Sequence, residues 1–189
     1  MSEPRHIVLP VDRAELAELR AGDEVLFTGL AYTARDATHV RLVEELAVKN
    51  SLPFGLEGQV LFYAGPTPPA AGRSAGAIGP TTAKRMDAHT PQLLRAGVVA
   101  TIGKGARSQS VREACRQTGS VYFAAVGGTA ALLARHVTEV RPVAYEDLGT
   151  EALIRIQFDR FPVFVGIDTT GGDAYVRTQG PETPEASGR

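Results

Sequence analysis

The sequence has 189 residues, of which 43% are hydrophobic and 22% are charged, and its formal net charge is −1. This length and composition suit a globular protein of one domain or two very small ones, and the near-neutral charge excludes a general attraction to nucleic acid or anionic membranes. Tryptophan is absent, which disfavours base-stacking surfaces, and no apolar run approaches the roughly 20 residues that cross a bilayer.

The N-terminus from Met1 to His6 is polar and lacks the apolar core of a signal peptide, so we expect a cytoplasmic protein. Cys115 is the only cysteine, which excludes an internal disulfide and a cysteine-held metal centre built from this chain alone. Its place in the middle of a predicted helix favours a packing role for this thiol.

The first part of the chain predicts a strand, a short helix and a second strand. The apolar residues 6–11 and 24–34 predict the two strands, with Gly29 as a candidate bulge. Asp12 and Glu15 have the spacing of a capping box, which predicts the helix between the strands.

Asp36 follows the second strand and is placed to cap a helix that runs to about Lys49. Arg35 then stands at a strand-to-helix junction, which is a common place for binding residues. A surface cation paired with Asp36 is the alternative for Arg35, and a solvent-facing or structural histidine is the alternative for His39 in the first turn. The predicted apolar face of this helix comprises Val40, Val43, Leu46 and Ala47.

A third strand is predicted at residues 59–64, and a long loop rich in glycine and proline follows at residues 65–79. The loop leads into Gly79-Pro80-Thr81-Thr82-Ala83-Lys84-Arg85-Met86-Asp87. Here Thr81 and Thr82 can cap a helix whose free N–H groups favour an anion, and Arg85 adds a two-pronged donor suited to a carboxylate. The residues thus predict an anion site, with a capped loop bearing surface charges as the alternative.

The second half predicts a strand–glycine–helix pattern that is typical of an α/β layer. Lys104 lies between Gly103 and Gly105 after the apolar strand 98–102, where it can neutralise an oxyanion. The glycine spacing is wrong for a Walker loop, and an exposed lysine in a turn is the alternative. The other predicted elements are a helix from Thr90-Pro91 to Gly97, a helix from the capping box Ser110/Glu113 to Gly119, strands 121–126, 140–145, 153–158 and 162–167, a helix 129–137, and a turn 168–173.

Three fragments match one family. They are Thr33-Ala34-Arg35-Asp36-Ala37-Thr38-His39, the segment Gly79 to Asp87, and Gly103-Lys104-Gly105. With them the chain resembles the β subunit, or C-terminal domain, of the iron–sulfur hydro-lyases, which comprise class I fumarate hydratase and L-tartrate dehydratase. Further matches are Tyr63 to Pro68, Val126-Gly127-Gly128, Tyr145 to Ala152, and the strand from Phe161 to Asp168.

The resemblance implies an α/β fold of the swivelling β/β/α type, in which a mixed sheet carries flanking helices. Residues 1–176 are then one domain, and residues 177–189 are a polar tail that we expect to be disordered.

The resemblance also implies a 4Fe–4S cluster held by three cysteines of a separate α subunit, with an open iron position that acts as a Lewis acid towards the substrate. The implied partners are this α subunit and a small dicarboxylate, in a heterotetramer of two α and two β subunits. Self-association of the isolated chain stays open, and no metal ligand, nucleic acid or membrane is expected for this chain.

In the family scheme, residues matching Arg35, Arg85 and Lys104 clamp the dicarboxylate, and the hydroxyl matching Thr81 lies close to the reacting carbon as the general base. Thr82 and Gly79 would shape the turn. Asp36 and His39 complete the set of predicted substrate-binding residues.

The function that the resemblance implies is the reversible hydration of fumarate to L-malate in a complex with the α subunit. Tartrate dehydration, which differs by one hydroxyl group on the substrate, is the second reading. A stand-alone module that binds dicarboxylates or assists assembly is the reading from another class, and a nucleotide-phosphate role comes last because no Walker or dinucleotide fingerprint is present.

Overall fold

The computed structural model describes residues 3–67, 76–125 and 130–177, and within these ranges strands and helices alternate for most of the chain. The strands are β1 (Arg5–Leu9), β2 (Glu24–Thr33), β3 (Val60–Phe62), β4 (Ala100–Gly103), β5 (Val121–Ala124), β6 (Val137–Ala144) and β7 (Leu153–Ile167). The α-helices are α1 (Arg13–Ala17), α2 (Asp36–Lys49), α3 (Thr90–Arg95), α4 (Gln109–Thr118), α5 (Ala130–Leu133) and α6 (Ala174–Arg177).

The strands form one mixed sheet whose pairings close on themselves. Strands β2, β3, β4 and β5 are parallel neighbours in that order, and β7 runs antiparallel to both β5 and β2. Strand β1 pairs with the first half of β2, and β6 pairs with the first half of β7. The predicted α/β class with a mixed sheet and flanking helices is therefore confirmed, whereas the swivelling-domain fold and the domain bounds stay predictions.

Side chains alternate between two apolar cores, as a strand with a period of two residues requires. On β3, Val60 and Phe62 join a core built mostly from strand residues, while Leu61 and Tyr63 pack with helices α2, α3 and α4. Five phenylalanine rings dominate the strand core, namely Phe27, Phe62, Phe123, Phe158 and Phe161. Because both faces of the sheet pack against apolar cores, we look for functional polar residues at the strand ends and among the helices.

Strand β7 corrects the prediction of two strands at 153–158 and 162–167, because it is continuous from Leu153 to Ile167. It pairs with β2 almost throughout, and the register shift between Phe27 and Gly29 puts an extra residue on β7, opposite Thr28, so the bulge predicted at Gly29 on β2 is wrong. The kink falls at Arg160, whose φ is 51° and whose N–H donates to the Thr28 hydroxyl. Pairing with β2 on both sides of Arg160 thus keeps β7 one continuous strand, although the residues near Arg160 interrupt the local strand pattern.

Helix α2 begins one residue earlier than the capping prediction. Asp36 is its first residue, and the N-cap is Arg35, which makes no side-chain capping bond. The cap comes instead from Glu151, whose carboxylate accepts the Ala37 N–H at 2.8 Å across 114 residues of sequence. The predicted apolar face is right in part, because Val43 and Leu46 pack against the core, but Val40 and Ala47 are exposed and the fully buried residues are Thr38, His39 and Leu42.

Other capping predictions were wrong as well. Thr82 precedes a four-residue 3₁₀ helix, Ala83–Met86, without a capping bond. Thr90 is the first residue of α3, and its hydroxyl donates to the Met86 carbonyl. Ser110 lies inside α4 and its hydroxyl bonds to that of Ser108, so the predicted box with Glu113 does not form. Asp12 does cap α1, as predicted.

Part of the predictions lies outside the described residues. These are residues 68–75 of the long loop, the turn at 126–129, and residues 178–189 of the predicted tail. Within the described ranges, no helix combines the length and apolarity needed to cross a membrane.

Candidate functional site

Three parallel strands end at the same edge of the sheet, and the predicted site residues follow them. Strand β2 pairs with β3 through Thr33 and Phe62, and β3 pairs with β4 through Phe62 and Ile102. Arg35, Tyr63 to Gly65, and Lys104 come directly after these strands. The carboxyl edge of a parallel sheet is where α/β proteins bind their ligands.

Arg35 is half-buried at the N-terminus of α2. Its Nη2 lies 3.3 Å from Oε1 of Glu151, while the other carboxylate oxygen of Glu151 caps the helix. Its Nε is buried and has no hydrogen-bond partner among the described residues. A Cβ on Gly65 would lie 3.2 Å from Arg35 Cδ and 2.6 Å from the Thr150 carbonyl oxygen, so this glycine gives the guanidinium its place.

Arg85 and Asp36 form the second ion pair of the edge, with 2.9 Å between Arg85 Nε and Asp36 Oδ1. Asp36 therefore pairs with Arg85. The alternative interpretation of the sequence, in which Asp36 pairs with Arg35, is wrong. The pair brings the predicted anion segment against the N-terminus of α2. Bonding through Nε leaves the two terminal amino groups of Arg85 available to a ligand carboxylate.

His39 lies beneath Arg35 with no exposed surface. Its Nδ1 is 2.8 Å from the carbonyl oxygen of Arg35, so Nδ1 carries the proton and donates it, because a carbonyl only accepts. Burial lowers the pKa of His39 to about 4, so the ring is neutral at pH 7. This buried position suits a residue that orients Arg35, and the substrate-binding role of His39 stays a prediction.

Thr81, Thr82 and Lys104 meet through their backbones. The Thr81 N–H donates to the Tyr63 carbonyl at 2.7 Å, the Lys104 N–H donates to the Thr81 carbonyl at 3.1 Å, and the Ala83 N–H donates to the Lys104 carbonyl at 2.8 Å. These bonds extend the ladder of β3 and β4 by a short bridge between Thr82 and Lys104. The hydroxyl predicted as the base therefore sits on backbone that is locked to the lysine turn.

Glycines on both sides of this bridge allow the close packing. A Cβ on Gly103 would lie 2.8 Å from both Ala83 Cβ and Tyr63 Cδ2, which no real side chain tolerates. Gly79 is half-buried, and a Cβ there would lie 3.3 Å from the Cβ of Ala130. A side chain at Gly79 would therefore crowd Ala130, while the turn-shaping role of Gly79 stays a prediction.

Lys104 also lines a cavity of about 530 Å³ on the β5 and β7 side of its turn. The lining is mainly apolar and includes Phe164, Val165, Ala174 and Tyr175. Arg35, Thr81 and Arg85 are not among its lining residues. The structure therefore joins Lys104 to the segment that carries Arg85 through the backbone of the bridge, and the Lys104 side chain is exposed.

A buried ion pair beneath the site escaped the sequence reasoning. Arg107 Nε donates to Asp87 Oδ1 at 2.6 Å, and the Ser108 N–H donates to Asp87 Oδ2 at 2.7 Å. The guanidinium also donates to the Thr90 hydroxyl at 2.8 Å. Burial opposes the charged form, but the attraction of Tyr63 and Asp87 outweighs it and raises the pKa of Arg107 above its usual value.

Glu151 is the second residue that sequence reasoning did not assign to the site. It lies in the segment Tyr145 to Ala152, which carried the resemblance without a role for any of its carboxylates. No local pattern marks Glu151 or Arg107, because their partners lie at distant positions in the chain. The only signal was the occurrence of Asp87 and Arg107 close to the two cationic fragments.

The edge therefore gathers three cations, Arg35, Arg85 and Lys104, with two carboxylates, Asp36 and Glu151, that pair with the two arginines. Such a net positive set can bind a small dianion and can stabilise negative charge that develops on it. Cys115 cannot add a thiolate, because burial raises its pKa to about 12. No group of three or more His, Cys, Asp or Glu side chains in the described ranges could hold a metal ion.

Comparison with protein families gives one match across most of the chain. Residues 2–178 match the family model described as Fumarase C-terminus.

Individual relatives fall into two groups by length. Fumarate hydratase 2 of Leishmania major is 35% identical over 173 residues, which are 89% of this chain and 30% of the relative. The aerobic class I fumarate hydratase of Escherichia coli is 34% identical over 88% of this chain and 31% of its own length. The L(+)-tartrate dehydratase subunit beta of Escherichia coli is 31% identical over 88% of this chain and 84% of its own length. The chain thus spans about a third of the fumarate hydratases that it matches and most of the tartrate dehydratase subunit.

Proposed function

This chain belongs to the Fumarase C-terminus family, and we propose that it is the β subunit of an iron–sulfur-dependent hydro-lyase that interconverts fumarate and L-malate. The resemblance found in the sequence is confirmed by the family match and by the relatives named as hydro-lyases. The proposed enzyme is active only with a cluster-bearing α subunit. The match in length to a protein named subunit beta supports this division of labour.

One observation supports the proposal most directly. The ion pair between Arg85 and Asp36, next to Arg35, and the backbone bridge between Thr82 and Lys104 gather the cationic residues at one edge of the sheet. A dianion needs at least two cations in fixed positions, and these residues come from three separate segments of the chain.

The arginines bind and orient the two carboxylates of the substrate in this proposal. Arg35 is held through Nη2 by Glu151, and Arg85 is held through Nε by Asp36, so each guanidinium keeps other N–H groups for the ligand. Lys104 supplies a compact charge. Removing a proton beside a carboxylate builds negative charge on that carboxylate, so preorganised cations stabilise the transition state more than the bound substrate.

Thr81 is the proposed general base, as the resemblance implies. An alcohol has a pKa far above neutrality, so its hydroxyl accepts a substrate proton only if neighbouring cations favour the alkoxide. The hydrogen bond from the Lys104 N–H to the Thr81 carbonyl holds the backbones of these two residues together, although they are far apart in the sequence. The assignment of the base therefore depends on the charge of Lys104.

The iron–sulfur cluster of the proposal would be held by the α subunit. The residues of this chain do not fit it, because the sequence has a single cysteine and that thiol is buried.

Tartrate dehydration is the second candidate, and the length comparison favours it. The chain covers 84% of a tartrate dehydratase β subunit but only 31% of a class I fumarate hydratase from the same organism. Both substrates carry two carboxylates, so the same cations would serve either reaction. The remaining alternative is a module that binds dicarboxylates without catalysis.

The test is anaerobic co-expression with the α subunit, followed by assays of fumarate hydration and tartrate dehydration. We expect hydration of fumarate by the complex and none by the isolated chain. Arg85→Ala should lower kcat/KM by roughly 100-fold or more, because it removes a donor that acts on developing charge.

Arg155→Ala is the matched control, since it breaks an exposed ion pair with Glu139 on β6 and β7. Its kcat/KM should equal that of the wild type. Turnover by the isolated, metal-free chain would contradict the proposal, and a complex that dehydrates tartrate but ignores fumarate would select the second candidate.

A further inference from the structure

Two short segments carry the cations of the proposed site, and they are tied to each other at both ends. At the first end, Thr81 and Ala83 exchange backbone hydrogen bonds with Lys104. At the second end, the Asp87 carboxylate binds the side chain of Arg107 and the N–H of Ser108. Segment 81–87 and segment 104–108 therefore form a closed frame.

The second tie is fully enclosed. The Arg107 side chain has no exposed surface, and its guanidinium carbon lies over the rings of Tyr63 and Tyr122, at 5.2 and 4.7 Å from their centroids. Hydroxyl groups of Thr90 and Thr101 accept from its terminal nitrogens at 2.8 and 3.4 Å. Two ring contacts and hydrogen bonds to Asp87, Thr90 and Thr101 thus fix the orientation of the guanidinium.

Stability alone is a weak reason for such a pair. Removing two charges from water costs free energy that their attraction often fails to recover, and apolar replacements of buried pairs are frequently as stable. A buried pair does, however, specify geometry. The frame needs such a constraint, because Gly103 and Gly105 flank Lys104 and would leave its turn free to adopt several conformations.

Resting on the function proposed above, we propose that Arg107 and Asp87 are a positioning pair that sets the separation of Arg85 and Lys104 for the two ends of one diacid. Arg85 lies two residues before Asp87, and Lys104 lies three residues before Arg107. Neither Arg107 nor Asp87 touches the substrate. The pair acts through the backbone of the frame.

The test compares Asp87→Asn with Asp147→Asn. The first change removes the charge that binds Arg107 but keeps one acceptor oxygen, which favours a folded variant. The second removes the carboxylate of an exposed pair with Arg41, which is also bound through both oxygens, at 2.7 and 2.5 Å. This Arg41–Asp147 pair joins α2 to the segment before β7 and lies outside the frame.

The first readout is amide hydrogen exchange in the chain itself. In Asp87→Asn, exchange at Ala83 and Lys104 should accelerate by roughly tenfold, because their bonds bridge the two segments. The Tyr63 amide, which donates to Ile102 in the sheet, should exchange as in the wild type. Asp147→Asn should change none of the three. Unaltered exchange at Ala83 and Lys104 in Asp87→Asn would overturn the proposal.

The second readout is kinetics in the complex with the α subunit. Asp87→Asn should lower kcat/KM by roughly 100-fold, with most of the change in kcat, since the misplaced clamp acts mainly on charge that develops in the transition state. Arg107→Lys, which keeps the charge but not the planar fork, should behave in the same way. Wild-type kcat/KM in a variant with faster exchange would overturn the positioning role while the proposed function stands.

A wild-type complex that acts on no hydroxy-diacid would instead overturn the proposed function. The exchange measurement would then still decide whether Asp87 and Arg107 hold the two segments together, because it needs no activity.

Discussion

Two arginine–aspartate pairs hold the same segment of chain, one in a sealed region and the other in an open one. In the sealed pair, the side chains of Arg107 and Asp87 are 0% and 11% exposed, whereas those of Arg85 and Asp36 are 52% and 31% exposed. Water screens the open pair, so its attraction is weak and a ligand can replace one partner. The sealed pair cannot exchange partners, so it can only hold geometry.

The comparison separates two tasks that the same residue types perform. The sealed region contains the buried hydroxyls of Thr90, Thr101 and Tyr63, which accept the remaining hydrogen bonds of Arg107. Next to the open pair, by contrast, buried polar atoms have no hydrogen-bond partner among the described residues, among them Arg35 Nε and Asp36 Oδ2. Fully paired polar groups suit a support, whereas the unpaired groups near Arg35 and Asp36 call for a partner that the described residues do not supply.

The largest effect that tests the difference between the two pairs is expected when the buried Arg107 is replaced. Arg107→Met should lower the free energy of unfolding by about 3–5 kcal/mol, because Asp87 is then left buried without its partner. The double variant Arg107→Met/Asp87→Leu should recover much of this loss, since it buries no charge. Urea denaturation followed by circular dichroism measures both. Equal losses in the single and double variants would show that packing, and not the unpaired charge, is responsible.

A second test uses pH and the buried ring beneath the open region. The pKa of His39 falls from 6.5 in the unfolded chain to about 4 in the folded one, chiefly because of burial. The folded state therefore resists protonation. The stabilising contribution is complete above pH 6.5 and is lost as the pH falls towards 4.

At about 1.4 kcal/mol per pKa unit, this shift amounts to about 3 kcal/mol. Denaturation curves between pH 7 and pH 4 should show the loss, and His39→Gln should flatten this part of the profile. His6 lies at an exposed position and provides the control, and His6→Gln should keep the wild-type slope. Identical slopes in all three proteins would mean that His39 is not buried as described.

The smallest expected effect is on the open pair. Arg85→Ala should change the free energy of unfolding by less than about 1 kcal/mol, because solvent-exposed pairs contribute little. The same variant should lose activity in the complex, so stability and function separate at Arg85. A large loss of stability would place Arg85 with the supports and would weaken its assignment as a substrate clamp.

Much of the site could be predicted, and the reasons are local. Arg35 follows a β-rich run and precedes a helix, so its place at a strand-to-helix junction was confirmed. The turn with Lys104 was predicted from an apolar strand bounded by glycines, and β4 ends there. By contrast, Asp36 and Thr90 carry good capping side chains, yet tertiary partners at Arg85 and Tyr63 engage them instead.

The burial of α2 shows the same limit. Its apolar residues Val40 and Ala47 suggested one face, but both are exposed, and Thr38, His39 and Leu42 are buried instead. The two strands predicted in place of β7 fail for a related reason, since only pairing with β2 carries the chain past Arg160. Long-range partners override local propensity in both places.

By itself, the sequence determined the α/β class, the order of most strands and helices, and the fragments that place the chain in its family, because periodicity and turn residues act between near neighbours. Tertiary structure alone decided that β2 and β7 close the sheet, that Glu151 caps α2, and that Asp87 and Arg107 join two cationic segments. These contacts link residues that are distant in the chain, and their burial depends on how the whole chain packs. No local pattern encodes either property.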